Sequence, residues 1–300
     1  MKVTILGNNS ALPAFGRHPT AQVVSVYGDL LLLDCGEGTQ IQMQRFGLRW
    51  RNMQHIFISH MHGDHYFGLF GLINSMSLLG RIAPLHLYGP ESLMPLLQQI
   101  FDLANTTLSY PFSFHPLPGG TEIIAETGSF SVTCFPVTHS IPCHGFLIKG
   151  KTRGRKLLPE KCREYEIPLT FYEQLKHGED YERKDGQLVK NEWVTLEGPE
   201  PKSYAYCTDT IFTESFIPFI QDVDTLYHES TYLELDKEKA NSRFHSTAIQ
   251  AAEIAKMANA KQLLLGHFSS KYKELEPFSN EAKTIFPNTI ATVEGSTYEI

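Results

Sequence analysis

The sequence predicts a layered α/β sandwich. Three observations support this. Short runs rich in β-branched residues cluster in both halves of the chain, helix-like segments fall between and after them, and no fixed-period repeat or Gly/Ser linker divides the 300 residues. A content of 42% hydrophobic and 20% charged residues belongs to an ordinary globular chain and excludes collagen-like and disordered classes.

The opening runs 2–6, 21–26 and 30–34 read as strands, punctuated by Gly7-Asn8 and Gly28-Asp29. A helix is expected after Gly38, over Thr39–Arg45, and a short apolar strand over 55–59. Residues 66–79 read as a buried helix, 85–88 as a strand and 91–101 as an amphipathic helix. The stretch 112–149 is expected to be mainly strands. Residues 150–202 are polar and charged and break the pattern, as an insertion without a core of its own would. Alternation then resumes, with strands at 203–207, 225–228 and 262–265 and a helix at 246–257.

No apolar run reaches the roughly 18 residues of a membrane span, so no membrane partner is expected. The start, Met1 to Leu6, lacks a signal-peptide layout. Five scattered cysteines (Cys35, Cys134, Cys143, Cys162, Cys207) with no CxxC argue against a disulfide framework or a thiolate zinc cage. A reducing cytoplasm is the expected compartment. The net charge of −7 argues weakly against a nucleic-acid partner, but the charge is unevenly spread.

The most informative segment is His60-Met61-His62-Gly63-Asp64-His65, directly after the strand expected at 55–59. A tight loop, with Gly63 freeing the backbone, would aim three imidazoles and a carboxylate at a common point. Imidazole with carboxylate suits zinc or a related divalent ion. Three further apolar runs each end in one ligand-type residue: 132–138 before His139, 204–208 before Asp209, and 262–266 before His267. Strand ends are where an open sheet presents its binding edge.

HxHxDH followed by single His, Asp and His residues resembles the metallo-β-lactamase superfamily. That resemblance implies a four-layer αββα sandwich and two zinc ions. One would be held by His60, His62 and His139, the other by Asp64, His65 and His267, with Asp209 bridging. Two such ions clamp the attacking and leaving oxygens of an in-line displacement and make hydroxide available near neutral pH. Hydrolysis is therefore the expected reaction class, with Asp64 orienting and deprotonating the water.

Asp34-Cys35-Gly36-Glu37-Gly38-Thr39-Gln40 lies between a strand and a helix. Asp34 either braces the ligand loop or caps a turn. Downstream, His245 precedes Ser246-Thr247 at a helix start and Glu229 follows His228. His245 held by Glu229 would protonate an alkoxide leaving group; the plainer alternative is a helix cap and a core polar pair.

These segments, with Ile5-Leu6-Gly7-Asn8-Asn9-Ser10-Ala11-Leu12-Pro13, resemble the ribonuclease Z branch, the tRNA 3′-processing endonucleases. The resemblance spans essentially the whole chain and implies cleavage of tRNA precursors to a tRNA 3′-hydroxyl and a trailer 5′-phosphate. It also implies a homodimer. The borderline ligands accept manganese as well as zinc. A small-molecule phosphodiesterase, or another ester hydrolase on the same fold, is the competing reading. Residues 149–190 carry 11 Lys/Arg against 8 Asp/Glu, and the opening stretch 149–156 has five bases and no acid. The family carries a tRNA-holding arm here, so 150–200 is expected to be an inserted substrate-binding arm within a single 1–300 domain. The family's Gly-Pro tip is replaced by Ile167-Pro168-Leu169-Thr170-Phe171-Tyr172.

Overall fold

Alternation of apolar side chains sets the layering. The computed structural model describes residues 1–152, 154–198 and 200–300. The chain opens with β1 (Lys2–Gly7), β2 (Ala21–Val26) and β3 (Asp29–Leu33). Helix α1 (Thr39–Arg45), β4 (Met53–Phe57), α2 (Gly63–Tyr66) and α3 (Leu69–Leu78) follow. Next come β5 (Leu85–Gly89), α4 (Leu93–Leu103), β6 (Phe112–Pro116), β7 (Glu122–Glu126), β8 (Phe130–Val137) and β9 (Cys143–Gly150). Short elements occupy the next fifty residues: β10 (Lys156–Leu157), α5 (Pro159–Glu164), α6 (Tyr172–Lys176), β11 (Tyr181–Glu182), β12 (Leu188–Val189), α7 (Asn191–Val194) and β13 (Thr195–Leu196). The chain closes with β14 (Ser203–Cys207), β15 (Thr225–Glu229), α8 (Lys237–Ser242), α9 (Ala248–Met257), β16 (Gln262–Gly266), α10 (Glu276–Lys283), β17 (Thr289–Ala291) and β18 (Thr297–Glu299).

Two seven-stranded sheets result, ordered β18-β1-β2-β3-β4-β5-β6 and β17-β16-β15-β14-β9-β8-β7. Val3, Ile5, Leu31, Leu33, Phe57, Phe146, Tyr204, Tyr206 and Leu264 fill the layer between the sheets. Their neighbours point the other way. Leu6, Leu32 and Ile56 pack on α1, α3 and α4 through Met43, Leu72 and Leu97. Ala205, Cys207, Leu263 and Leu265 pack on α9 and α10 through Ala252 and Phe278. The period of two thus buries both faces of each sheet and makes the four layers helix, sheet, sheet, helix. The strands β3 to β6 are parallel, as are β14 to β17, so each set ends on one edge of its sheet. The segments that follow β4, β14 and β16 carry the His60 motif, Asp209 and His267.

Two expectations are corrected. The helix read over 66–79 is two helices, α2 and α3, broken at Phe67 and Gly68. Gly68 donates its amide to the Cys35 carbonyl (2.9 Å), and a Cβ there would lie 2.1 Å from the Gly36 carbonyl oxygen, so the chain must leave helical register to dock on that loop. Residues Gly150–Pro201 form a separate compact unit with a small core of Cys162, Ile167, Leu175, Val189 and Val194. Those five residues lie on short, widely spaced elements, so no periodic run announces them. Arg153, one of the bases counted in this stretch, lies outside the described residues. No helix among the described residues is long and apolar enough to cross a membrane.

The strand that delivers the ligand loop also carries a titratable ring. His55 on β4 stacks on His86 (centroids 5.3 Å apart) and meets Phe130 edge-on (5.4 Å). Burial, then neighbouring His86, pushes His55 down to about 4. An imidazole with its folded pKa below the unfolded value binds fewer protons when folded. Its contribution is complete above the unfolded pKa of about 6.5 and is lost as pH falls toward the folded value. We expect the thermal midpoint of His55→Phe, which keeps the stack, to fall less between pH 6.5 and 4 than that of the parent. Equal slopes would contradict this.

Candidate metal centre

The site is built from strand ends whose backbones turn sharply. Asp34, Asp209, Phe244 and His267 all adopt left-handed φ, at 55°, 42°, 58° and 57°. Each such non-glycine residue costs of order 1 kcal/mol and persists where its surroundings over-determine it. Asp34 shows how. Its Oδ1 accepts the Ser59 amide (2.8 Å), and its Oδ2 accepts the Ser59 hydroxyl (2.9 Å), the Tyr206 hydroxyl (2.7 Å) and His65 Nδ1–H (2.7 Å). Of the two sequence readings of Asp34, the geometry selects the brace; Gly38 occupies the N-cap of α1. Cys35 is buried and unpaired, its thiol pushed up to about 12 by desolvation.

All seven sequence-predicted ligands come together, in two groups. In the first, His62 Nδ1 lies 3.1 Å from both His60 Nε2 and His139 Nε2. Asp209 Oδ2 lies 3.5 and 3.6 Å from those two Nε2 atoms. In the second, His65 Nε2 and His267 Nε2 lie 3.5 and 3.6 Å from Asp64 Oδ2. They lie 3.3 and 3.1 Å from Asp209 Oδ1. Asp209 thus turns one oxygen to each group.

These distances fit cations. Metal–ligand bonds of about 2.0–2.2 Å in a tetrahedron set ligand atoms roughly 3.3–3.6 Å apart. The Nε2 atoms of His65 and His267 are buried without a hydrogen-bond partner, a cost a bound cation would remove. The opposite nitrogens of four of the five rings are committed. His60 Nδ1 meets Ser59 Oγ (2.9 Å), His139 Nδ1 the Phe244 carbonyl (3.0 Å), and His267 Nδ1 the Thr231 hydroxyl (2.9 Å), while His65 Nδ1 meets Asp34. Pinning Nδ1 orients these four rings and turns Nε2 inward, whereas His62 turns its Nδ1 inward.

The electrostatics agree. Burial holds His60, His62 and His139 below the usual imidazole range, the neutral form a metal requires. Against burial, Asp209, Asp64 and Asp34 hold His65 well above that range. Asp64 and Asp209 sit well below the carboxylate range despite their burial, because imidazoles surround them. The carboxylates of this centre demand positive charge, which a bound cation would supply.

Glu229 lies beside this centre, fully buried. Its Oε1 accepts from His245 Nδ1 (2.8 Å) and the Thr210 amide (2.9 Å); its Oε2 accepts the Thr231 hydroxyl (2.6 Å) and amide (3.1 Å). Against burial, Glu229 raises His245 to about 9. His245 faces a cleft of about 420 Å³ that is also lined by His62, Asp64 and Asp209. His228 does not share in the pair; its Nδ1 meets the Glu229 carbonyl (2.7 Å). The predicted Gly63 lets the Phe67 ring pack closely on the loop, since a Cβ there would lie 2.2 Å from the ring.

Sequence reasoning missed several supports: Ser59, Thr231, Tyr206, the Phe244 carbonyl, and the Ala11 amide that donates to Asp64 Oδ2 (2.7 Å). Main-chain partners leave no residue-type signal. Because Asp34 braces both the loop and His65, Asp34→Ala should lower metal affinity by about 10–100-fold, read by titration of the apoprotein with zinc. Unchanged affinity would remove the brace from the account.

Residues 1–155 match the family model described as Anti-Pycsar protein Apyc1. The chain is 41% identical over 294 residues to Ribonuclease Z of Parabacteroides distasonis, covering 98% of this chain and 97% of that one. Its fold matches the crystal structure of the short form of human tRNase Z with a TM-score of 0.73 at 24% identity, covering 100% of this chain and 99% of that one. It matches YhfI, a metallo-β-lactamase fold protein from Bacillus subtilis, with a TM-score of 0.68 at 20% identity, covering 99% and 98%. The chain therefore belongs to the ribonuclease Z family, phosphodiester-cleaving endoribonucleases on the metallo-β-lactamase fold, and its amino-terminal half to the Apyc1 family.

Proposed function

We propose that this chain is a zinc-dependent endoribonuclease that removes 3′ trailers from tRNA precursors. The products are a tRNA 3′-hydroxyl and a trailer 5′-phosphate. The observation that carries the reading is the Asp209 carboxylate, turned toward two His-rich donor groups beside the His245–Glu229 pair. His60, His62 and His139 would hold one ion and Asp64, His65 and His267 the second, with Asp209 turning an oxygen to each group. Imidazole with carboxylate suits zinc, and manganese is accepted by the same donors. Two bound ions supply Lewis-acid polarisation of the phosphodiester and a water ionised near neutral pH.

The chain's own groups do the rest. Asp64, its carboxylate fixed by the Ala11 amide, takes the water proton as the oxygen attacks phosphorus. As the bond from phosphorus to the tRNA 3′-oxygen breaks, its electron pair goes to that oxygen. His245, its Nδ1 held by Glu229, delivers a proton there from Nε2.

The inserted unit 150–200 is the tRNA-binding arm in this reading. Lys161, Lys176, Arg183 and Lys190 pair within it, to Glu164, Glu173, Glu166 and Asp180. Phosphate contact therefore falls mainly to the acid-free opening stretch, with Lys149, Arg155 and Lys156. The family resemblance supports a homodimer, and five buried, unpaired cysteines support a cytoplasmic enzyme.

A 3′-extended tRNA transcript incubated with the zinc-loaded protein should be cut once near the discriminator nucleotide, leaving the ends named above. No cut, or a tRNA 3′-phosphate, would overturn the reading. His245→Ala should slow the cut by about 10²–10⁴-fold while zinc content stays unchanged. Loss of zinc in that variant would make His245 a ligand.

A further inference from the structure

We infer that Phe67 is a stacking platform for the nucleobase next to the scissile phosphate. The inference rests on the ribonuclease reading above and gives that site a specificity-determining residue. Phe67 is 59% exposed, large for a phenylalanine in an ordered segment between two helices. Its position is specific. A Cβ on Gly63 would fall 2.2 and 2.4 Å from the ring's Cε2 and Cζ atoms, so the ring tip rests directly on the Gly63 backbone. Gly63 sits between His62 and Asp64, one member from each donor group. The ring is thus anchored to the ligand loop itself, and it lines the same cleft as Asp209 and His245.

The chemistry of the cleft fits a base. Phe67, Leu12 and Pro13 give it apolar surface beside groups suited to a phosphodiester, and Leu12 is 51% exposed. An unburied aromatic ring contributes little to folding. It offers a π-face that any base can stack on, and a base stacked there is held one nucleotide from the reacting phosphorus. Among the described residues that line this cleft there is no lysine or arginine, so what the ring itself offers is an apolar π-face.

The test measures kcat/KM on a 3′-extended tRNA transcript and on two copies in which the nucleotide on either side of the cut is abasic. For the parent enzyme, one abasic substitution should reduce kcat/KM by about 10–100-fold. Phe67→Leu should show a comparable loss on the intact transcript and no further loss on that abasic one. Phe67→Trp should keep both the parent's rate and its penalty. Independent losses that multiply, or no penalty for either abasic transcript, would overturn the assignment while leaving the nuclease reading intact. Failure of the parent enzyme to cut the intact transcript would overturn both.

Discussion

The structure depends on one electrostatic constraint. Two aspartates and five histidines direct charge and lone pairs into a buried space where no protein group can neutralise them fully. Carboxylate oxygens stand within 3.6 Å of imidazole nitrogens whose other ring nitrogen is already committed. Burying charge in this way is costly unless a cation completes it. The surrounding scaffold keeps the donors facing one another despite that cost. The same unsatisfied charge makes the site competent to bind metal.

The scaffold does this through strand ends. Parallel strands in each sheet terminate on one edge, and the turns that follow are held in left-handed conformations by hydrogen bonds across long stretches of chain. Asp34 ties β3 to the ligand loop and to β14 through Tyr206. Thr231 ties the end of β15 to His267 and donates its hydroxyl hydrogen bond to Glu229. The metal ligands and the His245–Glu229 pair therefore share one network, so a change at Thr231 reaches both.

Much of this was legible in the sequence. The His60–His65 cluster is local, and His139, Asp209 and His267 each stand at the end of an apolar run, so strand periodicity alone puts them at sheet ends. The braces were harder to see. In the sequence Asp34 stays between two readings, because its three partners, Ser59, His65 and Tyr206, lie 25 to 172 residues away. The Ala11 amide and Phe244 carbonyl carry no side-chain signature. Gly63 adopts no left-handed φ, and what its missing side chain permits is the close approach of the Phe67 ring. The core of residues 150–201 escaped because its apolar residues follow neither helical nor strand spacing.

The most direct test of the central claim is anomalous X-ray diffraction at the zinc edge on crystals of the purified protein. The account predicts two peaks per chain, one among His60, His62 and His139 and one among Asp64, His65 and His267, with Asp209 contacting both. A single peak, an ion held elsewhere, or two ions with Asp209 turned away from either would contradict it.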